Sequence, residues 1–392
     1  MTDLILTPRQ TRLLRARAQG LLPQGTEPGS RPARLLARVC GVQAQELPAA
    51  LLSIRARSSG LTLQAVEQAR QSERAIARTW LMRGTLHLVA AEDLGWLLDL
   101  LAPRTIAAGR RRLKELGWDE ARLEAGLRLL EAELRRRAGE NPPGAPAPGL
   151  PAPLTRPELA RLLQEQGLPF EGQAPYHLLY RGALEGLLCF GPDQEGEPGY
   201  VLRSSWTGTS PPLERREALA RLACRYLAGY GPAGLEDLAS WSGLGQAEAR
   251  EAWELSADWT APVQAAGRPA RLLKEQLPWL EELPAETAAP SVRLLPRYDT
   301  YLLGYAGREL AVEPAYTRRV HPGGGIIHQT LLVDGQVLGV WKTRRRSRGG
   351  RPLLEITVEP FDSLPETVLP GLEAEAADLG RFLGEEAVWV PG

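Results

Sequence analysis

Two glutamines separated by one small apolar residue, Gln43 and Gln45 in the stretch Gly41-Val42-Gln43-Ala44-Gln45-Glu46-Leu47, are the residues whose type and spacing best fit a chemical task. A primary amide offers an acceptor oxygen and two N–H donors without net charge, so two amides together can position a water or grip a polarised group. They act as a pair only on an extended backbone, where residues i and i+2 point to the same side; on a helix they would stand about 200° apart. The amphipathic run Arg34–Cys40 ahead of them reads as helix, and Gly41 is the expected place for its end, because glycine tolerates the left-handed conformation that closes helices. The alternative is an ordinary polar connection between two helices. Glu46 is the adjacent carboxylate; on an extended backbone it points away from both glutamines and is the second choice.

Other chemistries find less support. Cys40, Cys189 and Cys224 stand far apart among apolar neighbours, which suits reduced, buried thiols. His87, His177, His321 and His328 show no zinc-ligand spacing, so no metal and no cofactor is expected. Gly323-Gly324-Gly325 lacks the Gly-Lys-Ser/Thr of a phosphate loop and reads as a hairpin tip. The densest basic run is Arg344–Arg351, whose Arg344, Arg345 and Arg346 are candidates for phosphate contact; the alternative is a solvated loop between strands. Arg318, Arg319 and His321, just ahead of the triple glycine, form a second basic cluster. Arg83, Thr85 and His87 alternate along an expected strand and so share a face, either lining the cleft beside the glutamines as candidates for nucleic-acid contact or forming a plain wing surface. Asp299 is expected to pair structurally with Arg297.

These groups need a scaffold. With 392 residues, 43% hydrophobic and 24% charged, the chain reads as a soluble protein of more than one packed unit. No apolar run approaches the ~20 residues that cross a bilayer, and the first residues lack an export signal, so a cytoplasmic location is expected. Net charge is zero, but its distribution is uneven: residues 1–90 carry 13 Lys/Arg against 5 Asp/Glu, and residues 352–392 carry 1 against 9. Basic regions sharing a face would suit a phosphate-backbone partner; equally, the acidic segments neutralise them by packing alongside.

Along the chain, Thr7 with Pro8 opens a helix, further helices run to about Cys40, from about Pro48 and after Thr62, and a two-stranded hairpin spans Ile76–Val89 with its turn at Arg83-Gly84. Helices followed by a two-stranded wing make a winged helix, and the same order returns twice. Thr155 with Glu158 is a capping box. The expected organisation is α+β and mainly helical, with three tandem winged-helix units at 1–90, 91–205 (interrupted by a Pro/Ala/Gly linker at 141–153) and 206–290. A small β-barrel or curled sheet follows in 291–392, its Asp334-Gly335 a primed hairpin turn and its end an acidic helix at 366–383.

Four stretches taken together are more specific: Gly41-Val42-Gln43-Ala44-Gln45, Arg78–Val89, Pro296-Arg297-Tyr298-Asp299-Thr300-Tyr301-Leu302-Leu303, and Leu331–Lys342. In order and spacing they resemble the bacterial winged-helix DNA glycosylases of the AlkZ and YcaQ type, over about residues 6–345. The resemblance implies that Gln43 and Gln45 are a catalytic Gln-x-Gln motif of the AlkZ-like branch and that the partner is double-stranded DNA containing alkylated bases. It also implies that a hairpin near Arg318 and Arg319 engages DNA. A purine alkylated at N7 is already cationic, so its departure needs no acid catalysis, and the remaining task is to align a water against C1′. Neutral amides do this without a strong Coulombic interaction with the lesion. Lysine is scarce, with only Lys114, Lys274 and Lys342, which favours water over a Schiff-base amine and hence a monofunctional enzyme. The competing readings are a non-catalytic winged-helix DNA-binding protein and a protein-binding scaffold.

Overall fold

The computed structural model describes residues 4–23, 31–139, 151–348 and 351–391. The expected connection at 23–32 and the linker at 141–153 fall largely outside them. The chain divides into two compact units, one of residues 1–67 and 219–392 and the other of residues 68–218.

In the first unit, helix Pro8–Ala18 starts as its sequence dictates: Thr7 accepts from the Gln10 backbone N–H, and the Gln10 side chain accepts in return from the Thr7 N–H. Helices Pro32–Arg38 and Leu47–Ala56 follow, and after residue 219 come the helices Leu235–Ser242 and Gln246–Leu255. Strands Thr260–Ala265 and Arg268–Leu273 form a hairpin, and Leu4–Leu6 joins its edge in parallel. That edge strand was not expected from sequence.

The C-terminal region of the same unit is a five-stranded sheet in the order Val292–Leu295, Thr330–Val333, Gln336–Arg348, Arg351–Pro360, Glu386–Pro391. The hairpin between Thr330–Val333 and Gln336–Arg348 turns on Asp334 (φ 47°) and Gly335 (φ 78°), two consecutive left-handed residues as a primed turn requires. Helix Leu369–Leu383 covers one face, burying Leu372, Ala376 and Leu379 against Val292, Leu294, Ile356 and Val358. It then returns the chain to a last strand parallel to its neighbour. The two outer strands, Val292–Leu295 and Glu386–Pro391, do not pair with each other, so among the described residues the sheet is open. The curled-sheet form of the expectation fits and the closed barrel does not.

In the second unit, strands Ile76–Trp80 and Leu86–Ala90 form a hairpin that continues through Leu188–Phe190 and Gly199–Leu202 to the short Leu154–Thr155. Helices Ala91–Glu115, Glu120–Arg137, Arg156–Glu165 and Ala174–Leu184 complete it. Thr155 and Glu158 make the expected capping box. Trp80 lies at the centre of an aromatic cluster, edge-on to Tyr176 and Tyr180 at 5.7 and 5.6 Å and tilted against Phe190 at 4.9 Å. Among the described residues, helices followed by two antiparallel strands occur three times, ending at Ala90, Leu202 and Leu273.

Candidate active site

The backbone around the glutamines is set by how helix Pro32–Arg38 stops. Val39 is the last half-helical residue, the Cys40 N–H donates to Ala37 O at 3.3 Å, and the Gly41 N–H donates to Leu36 O at 2.8 Å. This paired closure puts Cys40 (φ 53°) and Gly41 (φ 97°) in the left-handed region. The helix therefore ends one residue earlier than glycine alone suggests, with cysteine taking the strained position. Val42 and Gln43 are extended, and Glu46 (φ −111°, ψ 108°) is the N-cap of helix Leu47–Ala56. Val42 and Ala44 are buried at 1% and 0% exposure, while Gln43 is half-buried and Gln45 exposed. The backbone is extended at Val42 and Gln43 and bends at Gln45, and both amides remain accessible on either side of the buried Ala44.

What holds this segment is the turn Pro296–Thr300, from the same unit. Arg297 Nη1 lies 2.7 Å from Glu46 Oε1, at the far end of the motif. Tyr298 has φ 57°, a left-handed conformation that a bulky residue rarely adopts. Asp299 is completely buried and bound through both oxygens by Arg57: Nη1 donates to Oδ2 and Nη2 to Oδ1, each at 2.8 Å. Ser53 Oγ also donates to Oδ2, and the Tyr301 N–H donates to Oδ1 at 2.8 Å. Burial pushes this carboxyl up, but the charge and hydrogen bonds of Arg57, together with the hydrogen bonds from Ser53 and the Tyr301 N–H, outweigh burial and hold it below the ordinary aspartate value. Thr300 Oγ1 is 2.6 Å from the hydroxyl of Tyr230, which donates to Val39 O at 3.0 Å. Burial keeps that phenol protonated, its pKa pushed up to about 12.

The expected pairing of Asp299 with Arg297 is thus corrected. Asp299 takes Arg57, and Arg297 takes Glu46. The sequence reading paired the nearest neighbours, whereas Arg297 and Asp299 flank a left-handed residue and their side chains diverge. Arg55 and Arg57 were missed altogether. Arg55 is 1% exposed, donating from Nη2 to Glu375 Oε2 at 2.8 Å and to Leu294 O at 3.0 Å, with Asp378 Oδ2 3.1 Å from Nη1. The alternating Ser53-Ile54-Arg55-Ala56-Arg57 at a helix end was the available signal, since two arginines on a mostly apolar helix require buried acids.

The remaining candidates lie apart from the glutamines in sequence and differ in character. Arg83 sits in the tight turn Met82–Gly84 (φ 55°), and the strand begins only at Leu86, so Arg83, Thr85 and His87 do not share a strand face. His87 is 3% exposed, with Nδ1 3.0 Å from Thr85 O. Burial first, then the charge of Arg83, pull its pKa down to about 3. A neutral imidazole donating to a carbonyl is a structural group, and it supplies no charge for a phosphate. Thr85 Oγ1 likewise donates to Met82 O at 3.0 Å, within the turn.

Arg344, Arg345 and Arg346 lie on strand Gln336–Arg348 and not on a loop, all three exposed. The acidic segment does pack alongside them: Arg345 pairs with Glu385 at 2.8 Å and Arg346 with Glu355 at 2.7 Å. Exposed pairs of this kind are weak and leave the arginines exchangeable. Arg318 and Arg319 are exposed on the short helix Thr317–Val320, and Arg319 lies 4.6 Å over the Phe361 ring. His321 is 9% exposed with both ring nitrogens lacking a hydrogen bond among the described residues. Burial and the nearby Arg308 lower its pKa to about 4, so it adds no charge to the basic cluster. None of the three cysteines forms a disulfide; Cys40 and Cys189 are buried and Cys224 is half-buried.

Comparison with known proteins gives a consistent outcome. The Streptomyces sahachiroi protein named interstrand DNA cross-link repair glycosylase is 28% identical over 379 residues, spanning 92% of this chain and 94% of that one. The solved structure of Streptomyces sahachiroi DNA glycosylase AlkZ shares the fold, with a TM-score of 0.79 at 24% identity over 99% of this chain and 100% of that one. The sequence profile described as DNA glycosylase AlkZ-like matches residues 36–382. The chain belongs to the AlkZ-like DNA glycosylase family.

Proposed function

We propose that this DNA glycosylase hydrolyses the N-glycosidic bond of cationic, N7-alkylated purines in double-stranded DNA, bulky adducts and interstrand crosslinks among them, using a water held between Gln43 and Gln45. The observation that carries the reading is the accessibility of both amides, Gln43 half-buried on an extended residue and Gln45 exposed in the bend after it, on either side of the fully buried Ala44. The cross-link substrate is suggested by the printed name of the Streptomyces relative. A cationic leaving group needs no acid, which suits a motif of neutral amides, and alignment of the water against C1′ supplies the catalysis.

The enzyme acts as a monofunctional hydrolase, needing neither metal nor cofactor. Two of its three lysines are engaged, Lys342 with Glu359 and Lys274 with Asp258 O at 2.8 Å, which disfavours a Schiff-base route. The three helix-then-hairpin repeats are read as winged helices, and the exposed Arg318, Arg319, Arg344, Arg345 and Arg346 as phosphate contacts. A cytoplasmic location, with access to the chromosome, goes with this role.

The test is single-turnover base release from a duplex carrying N7-methylguanine, with abasic sites revealed by alkali. Gln43→Ala and Gln45→Ala should each slow release about tenfold or more while DNA affinity and thermal stability hold, as expected when a positioning group is removed. Release at the wild-type rate by both variants sinks the reading.

A further inference from the structure

Three contacts from one five-residue turn converge on the Gln-x-Gln segment from different sides. Ahead of it, Thr300 bonds the Tyr230 hydroxyl, which in turn bonds the carbonyl of Val39, the residue where helix Pro32–Arg38 ends. Behind it, Asp299 grips Arg57 and Ser53 on the helix that starts at Leu47. At its end, Arg297 holds Glu46, the residue next to Gln45. The first two contacts are fully buried and fix the two flanking helices. The third is half-exposed, with side-chain exposures of 32% for Arg297 and 43% for Glu46.

The turn is strained to make this possible. Tyr298 occupies the left-handed region at φ 57°, and strain of that kind persists only where surrounding contacts over-determine it. The buried Asp299–Arg57 pair on one side supplies the anchor, and the result is that Arg297 projects to Glu46 while Asp299 projects into the core. Along the Gln-x-Gln segment itself, Val42 and Ala44 are pinned by burial, but Gln45 and Glu46 are exposed and half-buried respectively. The Arg297–Glu46 pair therefore ties the more exposed end of the motif to the turn.

We propose that the turn Pro296–Thr300 is the positioning element of the Gln-x-Gln segment and that Arg297, acting through Glu46, is a positioning residue for base release; this rests on the glutamine-held water proposed above. It is not a phosphate contact. The two roles separate cleanly in kinetics: a positioning residue changes the rate at saturating DNA, while a phosphate contact changes affinity and its salt dependence.

The experiment uses the full chain and a duplex containing N7-methylguanine, measuring single-turnover release at saturation, the Kd for the same duplex, and amide hydrogen exchange of peptides covering residues 43–47. Arg297→Ala should slow release about tenfold, leave Kd within about twofold and speed exchange at 43–47. Arg297→Lys keeps a cation able to reach Glu46 and should recover most of both rate and protection. Glu46→Ala, which breaks the same pair from its exposed end, should match Arg297→Ala and carries the test if Arg297→Ala does not fold. The proposal is overturned if the alanine variants release base at the wild-type rate, or if Kd weakens and the salt slope flattens with the saturated rate unchanged. Gln45→Ala, run in parallel, separates the two levels. If it is slow while Arg297→Ala is fast, only the positioning role fails; if Gln45→Ala is itself fast, the water-holding role beneath it fails, and unchanged exchange at 43–47 in Arg297→Ala independently removes the restraint.

Discussion

The buried pair Asp299–Arg57 gives the sharpest prediction about how the site is held. Asp299→Asn keeps the size of the side chain and an acceptor for the Tyr301 N–H, but it removes the charge that two guanidinium N–H groups address at 2.8 Å. With side-chain exposures of 2% for Arg57 and 0% for Asp299, water cannot replace the missing carboxylate. Breaking one side of such a pair costs about 3–5 kcal/mol, and the retained acceptor places this variant at the low end. A loss of about 3 kcal/mol lowers amide protection roughly a hundredfold, at about 1.4 kcal/mol per factor of ten. Hydrogen exchange is the appropriate assay because a chain of two compact units need not unfold in one step. Peptides covering 47–57 and 299–305 should lose protection, and peptides covering 178–184 of the other unit should not. The pH dependence carries the sign. The folded-state pKa of Asp299 lies below its ordinary 3.8, so the stabilisation is complete above 3.8 and is lost as pH falls through the folded value. The deficit of the variant should stay constant from neutral pH down to about 5 and narrow only below 3.8. Protection of 47–57 within about threefold of wild type, or a loss spread equally over both units, would refute the assignment of Asp299 as the anchor.

Other perturbations report on different parts of the molecule. Replacing Arg344, Arg345 and Arg346 with alanine should weaken binding to all sequences alike and flatten the slope of log K against log salt by about 0.9 for each phosphate no longer neutralised; an unchanged slope would return them to a plain strand surface. Borohydride should fail to trap an enzyme–DNA adduct, and strand breaks should require added alkali; efficient trapping at Lys114, Lys274 or Lys342 would contradict hydrolysis by water. Gly84→Ala puts a methyl group 2.4 Å from the Tyr180 hydroxyl and 3.2 Å from Thr105 at a residue with φ 70°. Because the tyrosine tip can shift, the backbone term dominates, and a loss of about 1–2 kcal/mol in thermal or urea unfolding is expected; a neutral change would mean that the turn relaxes.

Much of the local structure is legible in the sequence because it is written in local signals. Thr7-Pro8 with Gln10, Thr155 with Glu158, and Asp334-Gly335 each specify a cap or a turn within four residues, and each is present. The end of the helix ahead of the glutamines is equally readable, but the extended backbone that follows covers only Val42 and Gln43, and Gln45 lies in a bend. What was not legible depends on partners far apart in the chain. Strand Leu4–Leu6 is too short to show a period and the six residues Glu386–Pro391 show no buried–exposed alternation; they pair in parallel with Thr260–Ala265 and Arg351–Pro360. Asp299 was noticed, yet its partner lies 242 residues away on a helix whose arginines look like solvent-facing charge. The same limit applies to the basic run at 344–346, where composition marks the charge but not the glutamates at 355 and 385 that accompany it.

The wide separation of these partners sets an order of events on the ribosome. Every element of the second unit lies within residues 68–218, so it has all of its own sequence while synthesis continues. The first unit begins earlier and must wait: Leu4–Leu6 has no edge to join until residues 260–265 emerge, and Arg57 has no counter-ion until Asp299 does. At about 5–20 residues per second, both waits last from about ten seconds to nearly a minute. During that interval Ser53, Arg57 and Glu46 are present without Asp299 and Arg297, the partners that hold them in the finished fold.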